Sequence, residues 1–185
     1  MLKRVCILII IMFLSCKKDH KNKVVLSKTK DNVELLRLYE EDQLDRKASP
    51  INWDILLKRD SIRLIKVFEL LNSKKVKTSL DYKNAAMIFQ HGTDTIVSLM
   101  AIKMMRKSIE LDSMANKWLL AAAIDRDLMR RKKPQIYGTQ YVEKDSSFVL
   151  YEIDTAKITD EERIEYNVTT LTQQKEKIKS IKREL

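Results

Sequence analysis

Glycine and proline are scarce in this chain, which contains two of each among 185 residues. Tight turns and irregular loops depend on these two residues, so their scarcity favours long helices over a sheet-rich fold. Apolar residues recur at helical spacing in five segments, which cover residues 32–47, 53–71, 79–91, 95–111 and 115–133. The pattern predicts a mainly α fold, a bundle of antiparallel helical hairpins with tetratricopeptide-like packing but no clean repeat of about 34 residues.

Residues at the ends of these segments predict where the helices start and stop. Asp31 is a good N-cap for the first segment, and Ser79 is one for the third. Gly92 is a natural left-handed C-cap for the third segment, and Pro134 ends the fifth. The apolar stripes of the first two helices consist of Leu36, Tyr39 and Leu44, and of Trp53, Leu57, Leu64, Phe68 and Leu71.

The hydrophobic period changes after Pro134. Two short β-rich runs, 139–143 and 148–153, flank the polar residues KDSS, so we predict one β-hairpin near residues 139–153. Helix then returns at two capping boxes, Thr159 with Glu162 and Thr170 with Gln173. An isolated hairpin is only marginally stable, so it must lie against the helices.

The first 16 residues indicate export and lipid attachment. A basic start is followed by an unbroken apolar run from Val5 to Leu14, which spans roughly 15 Å as a helix, about half of the ~30 Å of bilayer hydrocarbon. This length favours a signal peptide over a transmembrane helix. Ser15 and Cys16 then resemble the end of the lipobox of bacterial lipoproteins, although Phe13 and Leu14 depart from its usual pattern.

The resemblance implies that Cys16 is lipidated and becomes the new N-terminus. We therefore divide the chain into a signal peptide (residues 1–15), a lipidated flexible tether (16–30) and a single helical domain with the β-hairpin (31–185). The protein is predicted to be attached to a membrane of the bacterial cell envelope by its N-terminal lipid, on the periplasmic or the surface face.

Charge and cysteine content limit the function classes. Removal of residues 1–15 takes away Lys3 and Arg4, so the formal charge falls from +10 to +8. No basic stripe is interleaved with aromatic residues, so the sequence does not favour a nucleic-acid partner. Cys6 lies in the apolar run, which leaves Cys16 as the only cysteine of the mature chain and permits no internal disulfide.

Three motifs in fixed order carry a family resemblance: AAMIFQHG, WLLAAAIDR and PQIYGTQY. Together they resemble an uncharacterised family of bacterial secreted and lipid-anchored proteins, a domain of unknown function, over roughly residues 40–170. The resemblance implies a mainly helical envelope protein and brings no established activity.

The same motifs hold the polar residues from which a binding site could be built. His91 lies at a helix C-terminus, where the helix dipole favours a protonated imidazole. Asp125 and Arg126 lie on apolar stripes, where an unpaired charge is costly, so they need partners. The candidate binding residues are Gln90, His91, Asp125, Arg126, Gln135, Tyr137 and Gln140.

Two interpretations of these residues stay open. They either form a structural polar network, with partners such as Asp60, Arg63 or the 133–141 loop, or they bind a ligand, with Arg126 gripping a carboxylate or phosphate in a bidentate fork. No second histidine or cysteine pair accompanies His91, so we predict no metal site, and nothing in the sequence calls for a cofactor.

The sequence therefore favours a binding or interaction module over an enzyme. Its partner would be another envelope protein or a small anionic ligand. The alternative is a hydrolase that acts on an envelope polymer or a small envelope substrate, with Asp125 or His91 as general base.

Replacing Cys16 with serine tests the lipid anchor. The variant lacks the thiol that would carry the lipid, so C16S protein is expected in the soluble fraction of lysed cells, whereas the wild type sediments with membranes. Immunoblotting of both fractions provides the measurement. The C6S variant is the control and should behave like the wild type, and a C16S protein that still sediments with membranes would contradict the anchor.

Overall fold

The fold is a helical bundle with one small β-hairpin, as the sequence predicts. A computed structural model describes residues 29–145 and 147–184, so the predicted signal peptide, Cys16 and most of the tether lie outside the described residues. In chain order the described elements are α1 (Val33–Asp45), α2 (Trp53–Asn72), α3 (Ser79–Gln90), α4 (Thr95–Leu111), α5 (Trp118–Arg130), β1 (Tyr141–Lys144), β2 (Ser147–Leu150), α6 (Asp160–Glu165) and α7 (Leu171–Glu184).

Helix α3 is the centre of the bundle, because it packs against α1, α2, α4 and α5. Its alanines Ala85 and Ala86 are fully buried and allow neighbouring helices to approach closely. Phe89 is also fully buried and meets Phe68 of α2 edge to face, with 4.9 Å between ring centroids. Short connections join α3 to α4 and α4 to α5, so consecutive helices pack as hairpins.

The buried faces of α1 and α2 agree only in part with the predicted stripes. The predicted residues Tyr39, Leu64, Phe68 and Leu71 are partly buried and pack against the core. In α1 the buried residues are Leu35, Leu38 and Asp42, whereas Leu44 is 65% exposed. In α2 Trp53 and Leu57 are exposed, and the buried face consists of Leu56, Asp60, Arg63, Val67 and Leu70. Charged side chains occupy part of both buried faces, and a pattern of apolar residues does not include them.

Helix ends also differ in detail from the predictions. The N-cap of α1 is Asn32, and Asp31 instead accepts a hydrogen bond from the Thr78 hydroxyl at 2.7 Å. Thr78 is the N-cap of α3 and forms a capping box with Asp81. Helix α5 ends before Pro134, because Lys132 adopts a left-handed conformation with φ of 56° and closes the helix by a Schellman motif.

The C-terminal third confirms the predicted hairpin and both capping boxes. Strands β1 and β2 are antiparallel, with Glu143 opposite Phe148. Thr159 and Glu162 cap α6, and Thr170 and Gln173 cap α7. Helix α7 lies against β2, so the hairpin packs on a helix.

Gly92 is required for close packing and not for a left-handed C-cap, because its φ is not positive. Of the two glycines, Gly138 is the one with a positive φ. A Cβ atom at position 92 would lie 2.3 Å from Cγ2 and 2.9 Å from Cβ of the buried Val97. The β-branched Val97 side chain is stiff and cannot move aside easily.

We therefore expect G92A to lower the free energy of unfolding by about 1–3 kcal/mol, the usual cost of overpacking. Urea unfolding provides the measurement. T93A, at the exposed neighbouring position, is the matched control. A G92A change below about 0.5 kcal/mol, the range of ordinary surface substitutions, would show that the backbone shifts without cost.

Candidate functional site

Asp125 of α5 organises the loop that follows the helix. The carboxylate is fully buried. Oδ1 accepts hydrogen bonds from the backbone N–H groups of Ile136 and Tyr137 at 2.8 and 2.9 Å. Oδ2 accepts from the backbone N–H and the hydroxyl of Thr139 at 2.9 and 2.8 Å. Both oxygens are thus occupied by the protein itself, as expected for a buried carboxylate whose charge must be satisfied.

Gln135 and Gln140 connect this loop to the β-hairpin and to α5. The fully buried Gln135 side chain donates to the carbonyls of Gln140 and Tyr151 at 3.0 and 2.9 Å, and it accepts from the Gln140 N–H at 2.8 Å. Gln140 accepts from Nε of Arg126 at 3.1 Å and donates to the carbonyl of Ala122 at 3.3 Å. The two side-chain amides thus supply hydrogen bonds of the kind that backbone groups form with each other in a β-sheet.

Tyr137 joins the loop to the last two helices. Its ring packs on Tyr166 with 4.8 Å between centroids, and burial raises the pKa of its phenol above the usual value, so the phenol stays protonated. Its carbonyl accepts hydrogen bonds from Arg163 of α6 at 3.3 Å and from Gln174 of α7 at 3.0 Å. The contacts of Asp125, Gln135, Tyr137 and Gln140 thus favour the structural interpretation for this loop.

Arg126 differs from its neighbour Asp125. Its Nε donates to Gln140, and its Nη1 reaches the Gln90 carbonyl only at 3.5 Å. None of the ion pairs between described residues includes Arg126. Burial, and then the charges of Arg130 and Arg46, lower the pKa of Arg126 to about 10. Arg126 is therefore a partly buried cation without an acidic partner in the described chain.

Arg130, one turn further along α5, binds the end of α3. Its guanidinium donates to the carbonyls of Gln90 at 3.4 Å, of Gly92, and of Asp94 at 3.3 Å. Arg126 and Arg130 thus share the Gln90 carbonyl, which places the two guanidinium groups side by side. The Gln90 side chain is buried and donates to Ala122 at 3.1 Å, but its Oε1 has no hydrogen-bond partner among the described residues.

His91 lies at the same end of α3 and contacts α1. Its Nδ1 is 3.0 Å from Oδ1 of Asp42, a fully buried carboxylate. The same Oδ1 accepts from Arg46 at 2.7 Å, and Arg46 also pairs with Asp60 of α2 at 2.6 Å. Arg63 completes this buried ion-pair network by pairing with Asp60 at 2.9 Å and with Asp45.

The structure thus brings five charged or titratable side chains together at the C-terminus of α3. We call them the α3-end cluster, which consists of Asp42, Arg46, His91, Arg126 and Arg130. Three helices supply the cluster: α1, the end of α3, and α5. Of the predicted site residues, Gln90, His91 and Arg126 meet here, whereas Asp125, Gln135 and Tyr137 belong to the loop network.

Asp42, Arg46 and Arg130 were not among the predicted site residues. Asp42 carried a usable signal, because it continues the stripe of Leu35 and Leu38 at helical spacing. Arg46 follows Asp42 by four residues, the spacing of a helical ion pair. Asp60 and Arg63, predicted as partners of Asp125 or Arg126, instead pair with Arg46 and Asp45.

Comparisons with protein-family models, with curated proteins and with solved structures return no match. In residues 29–145 and 147–184, no three histidine, cysteine or acidic side chains are grouped so that they could hold a metal ion. Across the same residues, every helix is too short or too polar to cross a bilayer.

The Asp125 network makes a clear prediction for stability. In D125N an amide N–H₂ replaces one carboxylate oxygen and faces donors that then lack an acceptor, so we expect the free energy of unfolding to fall by about 2–4 kcal/mol. The control is D54N, an exposed acid in the first turn of α2, which should cost less than about 1 kcal/mol. Urea unfolding of both variants provides the measurement. A D125N protein as stable as the wild type would contradict a structural role for Asp125.

Proposed function

We propose that the chain is a lipid-anchored protein of the bacterial cell envelope whose helical domain binds a small anionic ligand at Arg126. The apolar run and Cys16 support the anchor. The binding proposal depends on one observation: Arg126 is a partly buried guanidinium that no described acid neutralises.

Free-energy considerations support a ligand at this position. Buried charges in proteins are normally paired, because removal from water is costly. The lowered pKa of Arg126 means that folding disfavours its charged form, so at neutral pH the charge opposes folding. A residue whose charge costs stability is typical of a functional position. A bound anion would supply the missing negative charge.

The local charge balance is consistent with this proposal. Three aspartates, Asp42, Asp45 and Asp60, are matched by three arginines, Arg46, Arg59 and Arg63. Burial lowers the pKa of Arg130, and the nearby charges of Asp94 and Asp127 partly offset this effect, whereas no acid in the described chain offsets the lowered pKa of Arg126. Arg126 is therefore the arginine whose positive charge is not balanced locally. Because Arg126 is partly buried, a small anion reaches it more readily than an acidic side chain on the surface of another envelope protein.

The hydrolase alternative is favoured by a different observation. The contact of His91 with Asp42 holds the imidazole in a fixed orientation, which is the arrangement of a histidine general base. Asp125, the other candidate base, has both oxygens occupied by the loop. If the protein is a hydrolase, His91 is thus the better candidate.

Arg126→Gln tests the binding proposal. Calorimetric titration at low salt with phosphate, sulfate and citrate should detect binding to the wild type, and R126Q should bind at least about tenfold more weakly, a difference of 1.4 kcal/mol. R126Q should melt close to the wild type, because the lost hydrogen bond to Gln140 offsets the removal of a charge that opposes folding. R106Q is the matched control, since it removes one charge from an exposed residue of α4.

The results distinguish an anion site at Arg126, a structural role for Arg126 and a hydrolase. Equal anion binding by R126Q and the wild type would contradict a site at Arg126. Collapse of the R126Q fold would instead assign Arg126 to the scaffold. Release of p-nitrophenol from p-nitrophenyl phosphate by the wild type, abolished in His91→Gln, would favour the hydrolase.

A further inference from the structure

The starts of α1 and α3 meet the ends of α2 and α4 at one end of the helical bundle. The Asn32 N–H donates to Asp81 in the first turn of α3 at 2.7 Å, and the Asn32 side chain donates to the Lys75 carbonyl just after α2 at 3.1 Å. The hydroxyl of Ser79 donates to the Ser108 carbonyl near the end of α4 at 2.9 Å. The turn from α4 to α5 lies here as well, so α5 also starts at this end.

Thr29, the first residue that the structure describes, lies at the same end of the bundle. It lines one surface cavity together with residues of α3 and of the turn between α4 and α5, which include Leu80, Lys83, Ala115 and Asn116. The chain therefore enters the bundle here from residues 16–30, the predicted tether. We call this end, which consists of the starts of α1, α3 and α5 and the ends of α2 and α4, the tether end.

Large apolar side chains are exposed at the tether end. Met114, in the turn between α4 and α5, is 89% exposed, and Val33, the first residue of α1, is 80% exposed. Trp118, the first residue of α5, is 44% exposed, and its indole leans towards this end because helical side chains tilt towards the N-terminus of their helix. Leu80 and Leu111 are exposed there as well. Tryptophan and aliphatic side chains in such a set are typical of a surface that enters the headgroup region of a bilayer.

Basic charge accompanies these apolar side chains. Lys74, Lys75 and Lys77 follow α2 and are exposed. None of the ion pairs between described residues includes these three lysines. Residues 16–30 contain six lysines and one aspartate, a formal charge of +5. The lysines outnumber the exposed acids of the tether end, which are Asp31, Glu34 and Asp112.

We propose that the tether end is a membrane-binding surface that lies on anionic phospholipids. The proposal rests on the lipid anchor proposed above, which holds the chain at the membrane by its N-terminus. Apolar side chains such as Met114 and Trp118 enter the headgroup region, and the lysines contact the lipid phosphates. Helix α3 starts at the tether end and ends at the α3-end cluster, so the cluster faces away from the membrane.

The position of the tether favours this end over the other exposed apolar surface. The outer face of α2 exposes Trp53, Ile62 and Ile65. Helix α2 ends at the tether end and has 20 residues, so Trp53 lies about 30 Å away from that end. Attachment through residues 16–30 keeps the tether end at the higher local concentration near the bilayer.

The contact adds to the lipid anchor and does not replace it. Salt screens the charge of lipid headgroups, and stable attachment requires two membrane signals, such as one lipid and a basic surface. The expectation that C16S protein is soluble in lysed cells therefore stands.

The two tryptophans of the chain test the proposal, because Trp118 lies at the tether end and Trp53 at the start of α2. W53F leaves Trp118 as the fluorophore, and W118F leaves Trp53. Each full chain is purified from cells and mixed at low salt with phosphatidylglycerol vesicles whose acyl chains are brominated near the headgroup, since bromine quenches the tryptophans that it approaches. Fluorescence of Trp118 should fall by about half, and that of Trp53 by less than about a tenth.

Lysine substitution tests the contribution of charge. In the W53F chain, K74Q/K75Q/K77Q should reduce the quenching of Trp118 at least about twofold, and brominated phosphatidylcholine vesicles should do the same. The matched control is K47Q/K58Q/K133Q, which removes three exposed lysines that lie away from the tether end and should leave the quenching unchanged.

The outcomes distinguish this surface from the lipid anchor. Quenching of Trp53 and not of Trp118 would overturn the proposal and place the outer face of α2 on the bilayer. Quenching of neither tryptophan would also overturn it, and equal quenching of Trp118 in anionic and neutral vesicles would overturn the role of charge. A purified chain without the added mass of a lipid would overturn the anchor, whereas quenching of Trp118 in that chain would still support the surface.

Discussion

One buried carboxylate holds the C-terminal third of the molecule in place. Asp125 accepts hydrogen bonds from the N–H groups of Ile136, Tyr137 and Thr139. The carbonyls of Ile136 and Tyr137 are then free to accept from α6 and α7. Arg163 of α6 donates to the Ile136 and Tyr137 carbonyls, and Gln174 of α7 donates to that of Tyr137. The apolar core of this region is small, so charge-assisted hydrogen bonds provide the order that hydrophobic burial supplies in the bundle.

Local patterns predict the elements of this fold better than the faces those elements bury. Sparse glycine and proline, helical spacing and two capping boxes correctly indicate the helices and the hairpin. The same spacing predicts the buried faces of α1 and α2 only in part, because Asp42, Asp60 and Arg63 also occupy core positions there. A charged residue counts as surface in any apolar pattern, and its partner on another helix decides whether it can be buried.

The candidate site shows more clearly that local sequence patterns do not predict the partners of buried charges. Asp125 and Arg126 are adjacent, and the sequence treats both as charges on buried stripes. Consecutive helical residues point about 100° apart, so Asp125 meets the loop and Arg126 meets the end of α3. The loop offers Asp125 four donors, whereas Arg126 has two acceptors and no acid among the residues that the structure describes. Asp42, the partner of His91, lies 49 residues away, beyond the reach of local spacing.

The α3-end cluster lies at a helix end whose free carbonyls use part of the donor capacity of its arginines. The C-terminus of a helix carries partial negative charge on its free carbonyls, which disfavours an anion. Arg126 and Arg130 direct part of their donor capacity to the Gln90 and Gly92 carbonyls, so some of their charge neutralises the end of α3. The proposed ligand at Arg126 therefore depends on how much of the guanidinium charge the carbonyls at the end of α3 already take up.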